Sequence, residues 1–147
     1  MAAASAINIG NLARITPTDL AALLLDPACA AKVVVVDVRD SDHLGGHIKG
    51  SIWVPTAELD ARIPELMRMH QDKDTIVFHC MLSQQRGPAS AIKFARALEA
   101  AANKGQAQQT TAQRPAVCVL EGGFGMWQAR YGSDERLTDA YVKDLWD

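Results

Sequence analysis

Five residues separate Cys80 from Arg86 in the segment Phe78-His79-Cys80-Met81-Leu82-Ser83-Gln84-Gln85-Arg86-Gly87-Pro88. A thiolate is a strong nucleophile, and a guanidinium is a planar, permanently charged fork able to hold two oxygens of a phosphate-like group. The backbone of Met81, Leu82, Ser83, Gln84, Gln85 and Arg86 is expected to curl so that its N–H groups face an anion. Gly87-Pro88 marks a helix start, whose positive end would lie beneath that anion and stabilise a thiolate on Cys80. Taken singly, Cys80 reads equally well as a small buried hydrophobe, and Arg86 as a solvent-facing cation. Together, at the two ends of one short loop, they read as nucleophile and oxyanion clamp.

Such a loop needs a strand that ends at Cys80 and a helix that begins just after Arg86. Thr75-Ile76-Val77-Phe78 supplies the strand, and Ala89 to Ala102, apolar at Ile92, Ala95 and Leu98, supplies the helix. Val33-Val34-Val35-Val36 and Ala116-Val117-Cys118-Val119-Leu120 are two further unbroken apolar runs. Runs without alternation predict strands covered on both faces, as in a parallel sheet. Thr16-Pro17-Thr18-Asp19 predicts a helix start, with Thr16 as cap, and Asp26-Pro27 its end. Thr56 to Arg68 has helical spacing interrupted by Pro64, Ile52-Trp53-Val54 reads as a short strand, and Gly45-Gly46 and Gly50 bracket a turn. Glu121-Gly122-Gly123 turns the last strand into a short helix holding Phe124, Met126 and Trp127, and Leu137, Tyr141 and Trp146 are placed to dock on the body. Strand and helix alternate, which predicts a single α/β domain with a central, mainly parallel sheet flanked by helices. Brändén's rule puts a ligand at the carboxyl edge of such a sheet, where Cys80 falls.

The 147 residues suffice for one domain, assigned to 14–147, with 1–13 expected to be a flexible N-terminus and 103–115 a mobile loop. A net charge of -2 provides no field for nucleic acid or an anionic membrane. No apolar run approaches a membrane span, and no signal peptide is apparent. Cys29, Cys80 and Cys118 are odd in number and form no close pair, which argues against a disulfide framework or a zinc site. The chain is expected in the cytoplasm or nucleus, with no bound cofactor or metal. His79 and Cys80 diverge as adjacent strand residues and cannot share a metal ion. Asp37 and Arg39 read as a structural ion pair, His47 as a structural hydrogen-bonding residue, and the Trp and Phe residues as core.

In order and spacing, several segments resemble the rhodanese fold, in its branch of dual-specificity cell-cycle phosphatases and eukaryotic arsenate reductases. They are Val36-Asp37-Val38-Arg39-Asp40, Gly46-His47-Ile48-Lys49-Gly50-Ser51, the Cys80 loop, and Leu120-Glu121-Gly122-Gly123-Phe124-Gly125-Met126-Trp127. The loop is most similar to those of small fungal and plant members. The resemblance implies that Cys80 attacks phosphorus to give a phosphocysteine, with Arg86 and the amides of Met81 to Arg86 on the equatorial oxygens. The substrate would be a phosphorylated protein or a small phosphate or arsenate oxyanion. Arsenate reduction is the alternative, with a thiol–arsenic adduct on Cys80, glutathione as external reductant and glutaredoxin as a possible partner. The resemblance also implies a shorter loop for thiosulfate sulfurtransferases, which disfavours sulfur transfer, and loss of the nucleophile in non-catalytic binding modules.

The loop departs from the cell-cycle phosphatases at Met81 and Gln85, where they carry acids, and at Val38, where they carry a backup cysteine. Asp42 and Glu121 are the nearest candidates for a displaced general acid.

Overall fold

Thr16, Pro17 and Asp19 start the first helix as their chemistry dictates. The computed structural model describes residues 7–8, 10–103 and 114–146. In it the Thr16 hydroxyl accepts a hydrogen bond from the Asp19 amide at 3.1 Å, and helix α1 runs Pro17–Leu25. Asp26 repeats the device for the single turn of α2, Pro27–Ala30. The β-branched runs become strands: β2 is Val33–Asp37, β5 is Thr75–His79 and β6 is Ala116–Leu120.

These three lie side by side in the order β6-β5-β2, with β1 (Ala13–Ile15) and β4 (Ile52–Trp53) at the edges, and every pairing in this five-stranded sheet is parallel. Successive side chains serve opposite faces. Val34, Val36, Ile76 and Phe78 pack with Leu59, Leu66, Ala91 and Phe94. Val35 and Val77 pack on the other side with Leu20, Phe124 and Trp127. The first face is covered by α3 (Thr56–Met69) and α4 (Arg86–Asn103), the second by α1 and α5 (Gly123–Tyr131). The expected α/β architecture is the one observed.

Several details differ from the sequence reading. The body begins before residue 14: Leu12 is buried and Ala13 opens β1, because β6 offers an edge on which even three residues can pair. Residues 1–6 and 104–113 lie outside the described ones, so most of the expected N-terminal tail and the 103–115 loop are not placed. Helix α3 continues through Pro64, which sits on its exposed side, where water can satisfy the carbonyl one turn back. Helix α4 starts at Arg86 rather than Ala89, since a proline is tolerated in a first turn. Trp53 is 47% exposed and not core; its ring stacks on His43 at 4.2 Å and its indole N–H donates to the Arg39 carbonyl. An antiparallel ribbon pairs β3 (His47–Ile48) with β7 (Thr138–Asp139), and the tail docks as expected, with Leu137 buried and the Trp146 indole donating to the Gly45 carbonyl.

A buried ion pair closes the carboxyl end of β2. Asp37 and Arg39 are both fully buried, and the guanidinium donates to the carboxylate through Nε at 3.0 Å and Nη2 at 2.7 Å. Burial alone would push the Asp37 carboxyl up, but the Arg39 hydrogen bonds and nearby His79 outweigh it and the net direction is down. Arg39 also donates to the Gly46 carbonyl at 2.8 Å and lies 4.2 Å from the Phe124 ring centroid, a cation–π contact. Breaking such a pair strands a buried charge, so Arg39→Met or Asp37→Asn should each lower unfolding stability by about 3–5 kcal/mol. Replacing both with Leu should lose clearly less than the sum of the two. Urea unfolding measures this, and strict additivity would contradict a coupled pair.

Candidate active site

Cys80 is the first residue beyond β5, and it falls at the carboxyl edge of the sheet as the sequence predicts. Its side chain is 3% exposed, at the floor of the loop 80–86. The sulfur accepts hydrogen bonds from two backbone amides, Ser83 at 3.2 Å and Gly87 at 3.3 Å. Gly87 lies in the first turn of α4, where N–H groups have no partner within the helix and carry its positive dipole end. A Cβ at Gly87 would come within 3.3 Å of the His79 and Cys80 backbone, so a glycine lets the helix approach the strand. Ser83 reaches its position with a φ of 55°, the left-handed turn that curls the loop inward, and Arg14 from β1 donates to its carbonyl at 3.4 Å.

The outer side of the loop is held by α5. The amides of Phe124 and Gly125 donate to the carbonyls of Cys80 and Met81, at 3.0 and 2.8 Å. Gly123 has a φ of 60°, and a Cβ there would stand 2.5–2.6 Å from those same two oxygens. Only glycine permits both that turn and that approach. The Gly122-Gly123 turn therefore lets the start of α5 take up the carbonyls of Cys80 and Met81, which leaves those two carbonyls bonded away from the site.

His79 points away from Cys80, as the strand pleat requires. Its Nδ1–H donates to the Cys80 carbonyl at 3.1 Å, and its Nε2 is unpartnered, 3.9 Å from Asp37. Burial, opposed by Asp37, drives the imidazole toward its neutral form. Asp37 and Arg39 are structural, as expected, and His47 lies 3.7 Å from Asp139. Cys118 is buried, which pushes its thiol up to about 11 and leaves it unsuited as a resolving thiol.

Arg86 is bound by carboxylates of the turn after β2. Its Nη1 and Nη2 donate to the two carboxylate oxygens of Asp42, at 2.9 and 2.6 Å, and Nη1 lies 3.4 Å from Asp40. The sequence reading brought Asp42 forward as a general acid and missed this pairing, because the partners are 44 residues apart. The Arg86 hydrogen bonds hold the Asp42 carboxyl down at about 2, so in this arrangement it carries no proton to donate. Within the expected set of amides, that of Ser83 is on the sulfur, while Gly87, one position beyond the set, supplies the other. Met81 is half-buried, and Leu82, Gln84 and Gln85 are exposed at the rim. Glu121 is exposed at the end of β6. Among the described residues no cluster of His, Cys, Asp and Glu is placed to hold a metal ion, and no helix is long and apolar enough to cross a membrane.

Comparison with known proteins gives the same fold family as the resemblance in the sequence. A family model described as "Rhodanese-like domain" matches residues 16–130. The chain is 40% identical over 123 residues to the Saccharomyces cerevisiae protein named CDC25-like phosphatase YCH1, covering 76% of each. It is 37% identical over 136 residues to arsenate reductase 2.1 of Oryza sativa, covering 91% of this chain and 81% of the rice protein. The solved structure described as Ygr203w, a yeast protein tyrosine phosphatase of the rhodanese family, superposes with a TM-score of 0.74 at 33% identity, over 93% of this chain and 98% of the other.

The Asp42 carboxyl titrates lower in the folded protein than in the unfolded chain, so its contribution to stability is present above the ordinary carboxylate range and lost as pH falls through about 2. Asp42→Asn should lower the melting temperature at pH 7 by an amount corresponding to about 1 kcal/mol or less, given the partial exposure of the pair. That gap should close by about pH 2; a gap independent of pH would show that the pairing contributes nothing through its charge.

Proposed function

The chain belongs to the rhodanese-like domain family, and from that premise we infer that it is a cysteine-dependent enzyme acting on a tetrahedral oxyanion, with phosphomonoester hydrolysis as its first activity. The observation that carries this reading is the pair of backbone amides donating to the Cys80 sulfur inside a loop that ends at Arg86. A sulfur so placed can carry negative charge while presenting a lone pair along the axis of the bowl. In the forward step a Cys80–phosphorus bond forms as the bond to the leaving oxygen breaks. Charge develops on three equatorial oxygens, and the loop amides of residues 81–87 and the Arg86 guanidinium are the donors available to them. For that, Arg86 exchanges Asp42 for the oxygens of the substrate. Water then attacks phosphorus and returns the thiolate. A phosphorylated protein or an aryl phosphate is the substrate class, and because the loop supplies no acid at Met81 or Gln85, activated aryl phosphates are the esters expected to react fastest.

The same missing acid favours a second reading, arsenate reduction, in which water leaves arsenic easily. Cys80 would bind arsenic with loss of water, and the thiolate of glutathione would attack the Cys80 sulfur. Arsenite then departs with the electron pair, as arsenic(V) becomes arsenic(III) and the two thiols become a Cys80–glutathione disulfide. Cys118 is buried and its thiol pushed up, and Cys29 lies in α2 before the start of β2, at the opposite edge of the sheet from Cys80, so the second thiol is read as an external reductant, with glutaredoxin suited to clearing the mixed disulfide. Relatives carrying each name support both activities in one branch.

The decisive assays are phosphate release from an aryl phosphate and glutathione-dependent arsenite production. Cys80→Ser should abolish both while the fold persists by circular dichroism, and Arg86→Ala should lower kcat by about 10²–10³-fold. Residual turnover in Cys80→Ser would place the nucleophile elsewhere, and arsenite production without phosphate release would make reduction the principal activity.

A further inference from the structure

The guanidinium that the reaction needs is already occupied, and by a ligand shaped like the substrate. The Asp42 carboxylate offers two coplanar oxygens to the two terminal nitrogens of Arg86, the same fork-to-fork geometry that a phosphate or arsenate face would offer. Resting on the reading above, we propose that Asp42 is the oxyanion's rival for Arg86: substrate binds by exchanging places with this carboxylate, which makes Asp42 a residue that sets oxyanion affinity and selectivity.

Three features of the pair suit it to exchange rather than to permanent bonding. Both side chains are about one-third exposed, so water can take over the hydrogen bonds of whichever partner is released. Asp42 is fixed independently of Arg86: its Oδ1 accepts from the Asp40 amide at 2.9 Å, and Arg39 Nη1 lies 3.5 Å from its carbonyl. The carboxylate therefore stays in place when the guanidinium leaves. Arg86, by contrast, has a long side chain rooted at the first residue of α4, next to the Gly87 amide that already touches the sulfur.

The neighbouring charges set the direction of the effect. Around Arg86 stand Asp42 and Asp40 from the turn after β2, and Cys80 just beyond β5; His43 and Arg39 belong to the same turn, with His43 against Asp37 and Arg39 against Asp37 and the Asp42 carbonyl. Asp40 is committed elsewhere, since its Oδ1 accepts from both the amide and the hydroxyl of Thr56, so Asp42 is the principal competitor. An incoming anion must displace one carboxylate and meets the repulsion of both. A tetrahedral oxyanion can replace a bidentate carboxylate oxygen for oxygen, whereas a halide, with a single point of contact, cannot. The exchange thus filters for anions with a two-oxygen face, and removing the charge at position 42 relaxes the filter.

Tungstate, an unreactive tetrahedral oxyanion, tests this by isothermal titration calorimetry at pH 7 on the wild-type protein, Asp42→Asn, Arg86→Gln and the double variant. Asp42→Asn should bind tungstate about tenfold more tightly than wild type, and this gain should vanish in the Arg86→Gln background. With an aryl phosphate, the same substitution should lower KM without raising kcat. Unchanged or weaker tungstate binding in Asp42→Asn overturns the proposal, as does a gain that survives Arg86→Gln, which would mark mere bulk charge. If neither the wild type nor Asp42→Asn binds tungstate, the oxyanion reading falls together with the exchange. The wild-type protein gives a check free of substitution: the carboxyl carbon resonance of Asp42 should move on tungstate addition, and a stationary resonance in the saturated protein would also contradict exchange.

Discussion

The site depends on which way one loop faces. Seven residues run from Cys80 to Arg86, and their peptide groups can point either amides or carbonyls at the sulfur. Carbonyls there would repel a thiolate and any oxyanion above it. The choice is imposed from outside, where the first turn of α5 takes up the carbonyls of Cys80 and Met81. Each such bond contributes only about 1 kcal/mol to stability. Their larger effect is directional, because a peptide whose carbonyl is tied outward has its amide face fixed as well. The first turn of α4 completes the arrangement from inside, through Gly87. Two helix N-termini thus act on one loop in opposite senses, and a glycine at each is what lets the backbones come close enough.

The buried Asp37–Arg39 pair connects this loop to the turn after β2. Through Arg39 it touches the Phe124 ring on α5, the carbonyl of Gly46 and, more weakly, the carbonyl of Asp42. One desolvated guanidinium therefore registers the helix that holds the Cys80 loop and the turn that carries the partner of Arg86. Buried ion pairs of this kind add little net stability relative to apolar replacements. Their effect here is to fix relative positions at the carboxyl edge of the sheet, where β2 and β5 end side by side.

Much of the fold was legible in the sequence because its signals are local. The β-branched runs at 33–36 and 75–78, the Thr16-Pro17 cap and the Gly122-Gly123 turn each announce themselves within a few residues. The candidate nucleophile and its arginine were equally visible, since both lie in one short loop. What escaped was long-range. Strand β1 exists only because β6 has an edge to offer, and the β3–β7 ribbon joins distant parts of the chain. Trp53 was read as core because an aromatic in a strand usually is, yet β4 is an edge strand and the ring lies on His43 instead. Asp42 was recognised as an acid near the site, but its commitment to Arg86 required knowing that the turn after β2 and the start of α4 meet. The Gly87 amide was overlooked for a smaller reason: the set of amides was ended at Arg86, although Gly87 follows it within the first turn of the same helix.

The central claim is that the Cys80 sulfur bonds directly to the central atom of a tetrahedral oxyanion. Trapping that bond is the most direct test. The enzyme would be mixed with a ³²P-labelled aryl phosphate, quenched in acid within the first turnover, digested, and sequenced by mass spectrometry. The account predicts label on the peptide containing Cys80, as a phosphocysteine at that residue. Label confined to another residue, or rapid phosphate release from a protein whose Cys80 has been replaced by serine, would contradict it.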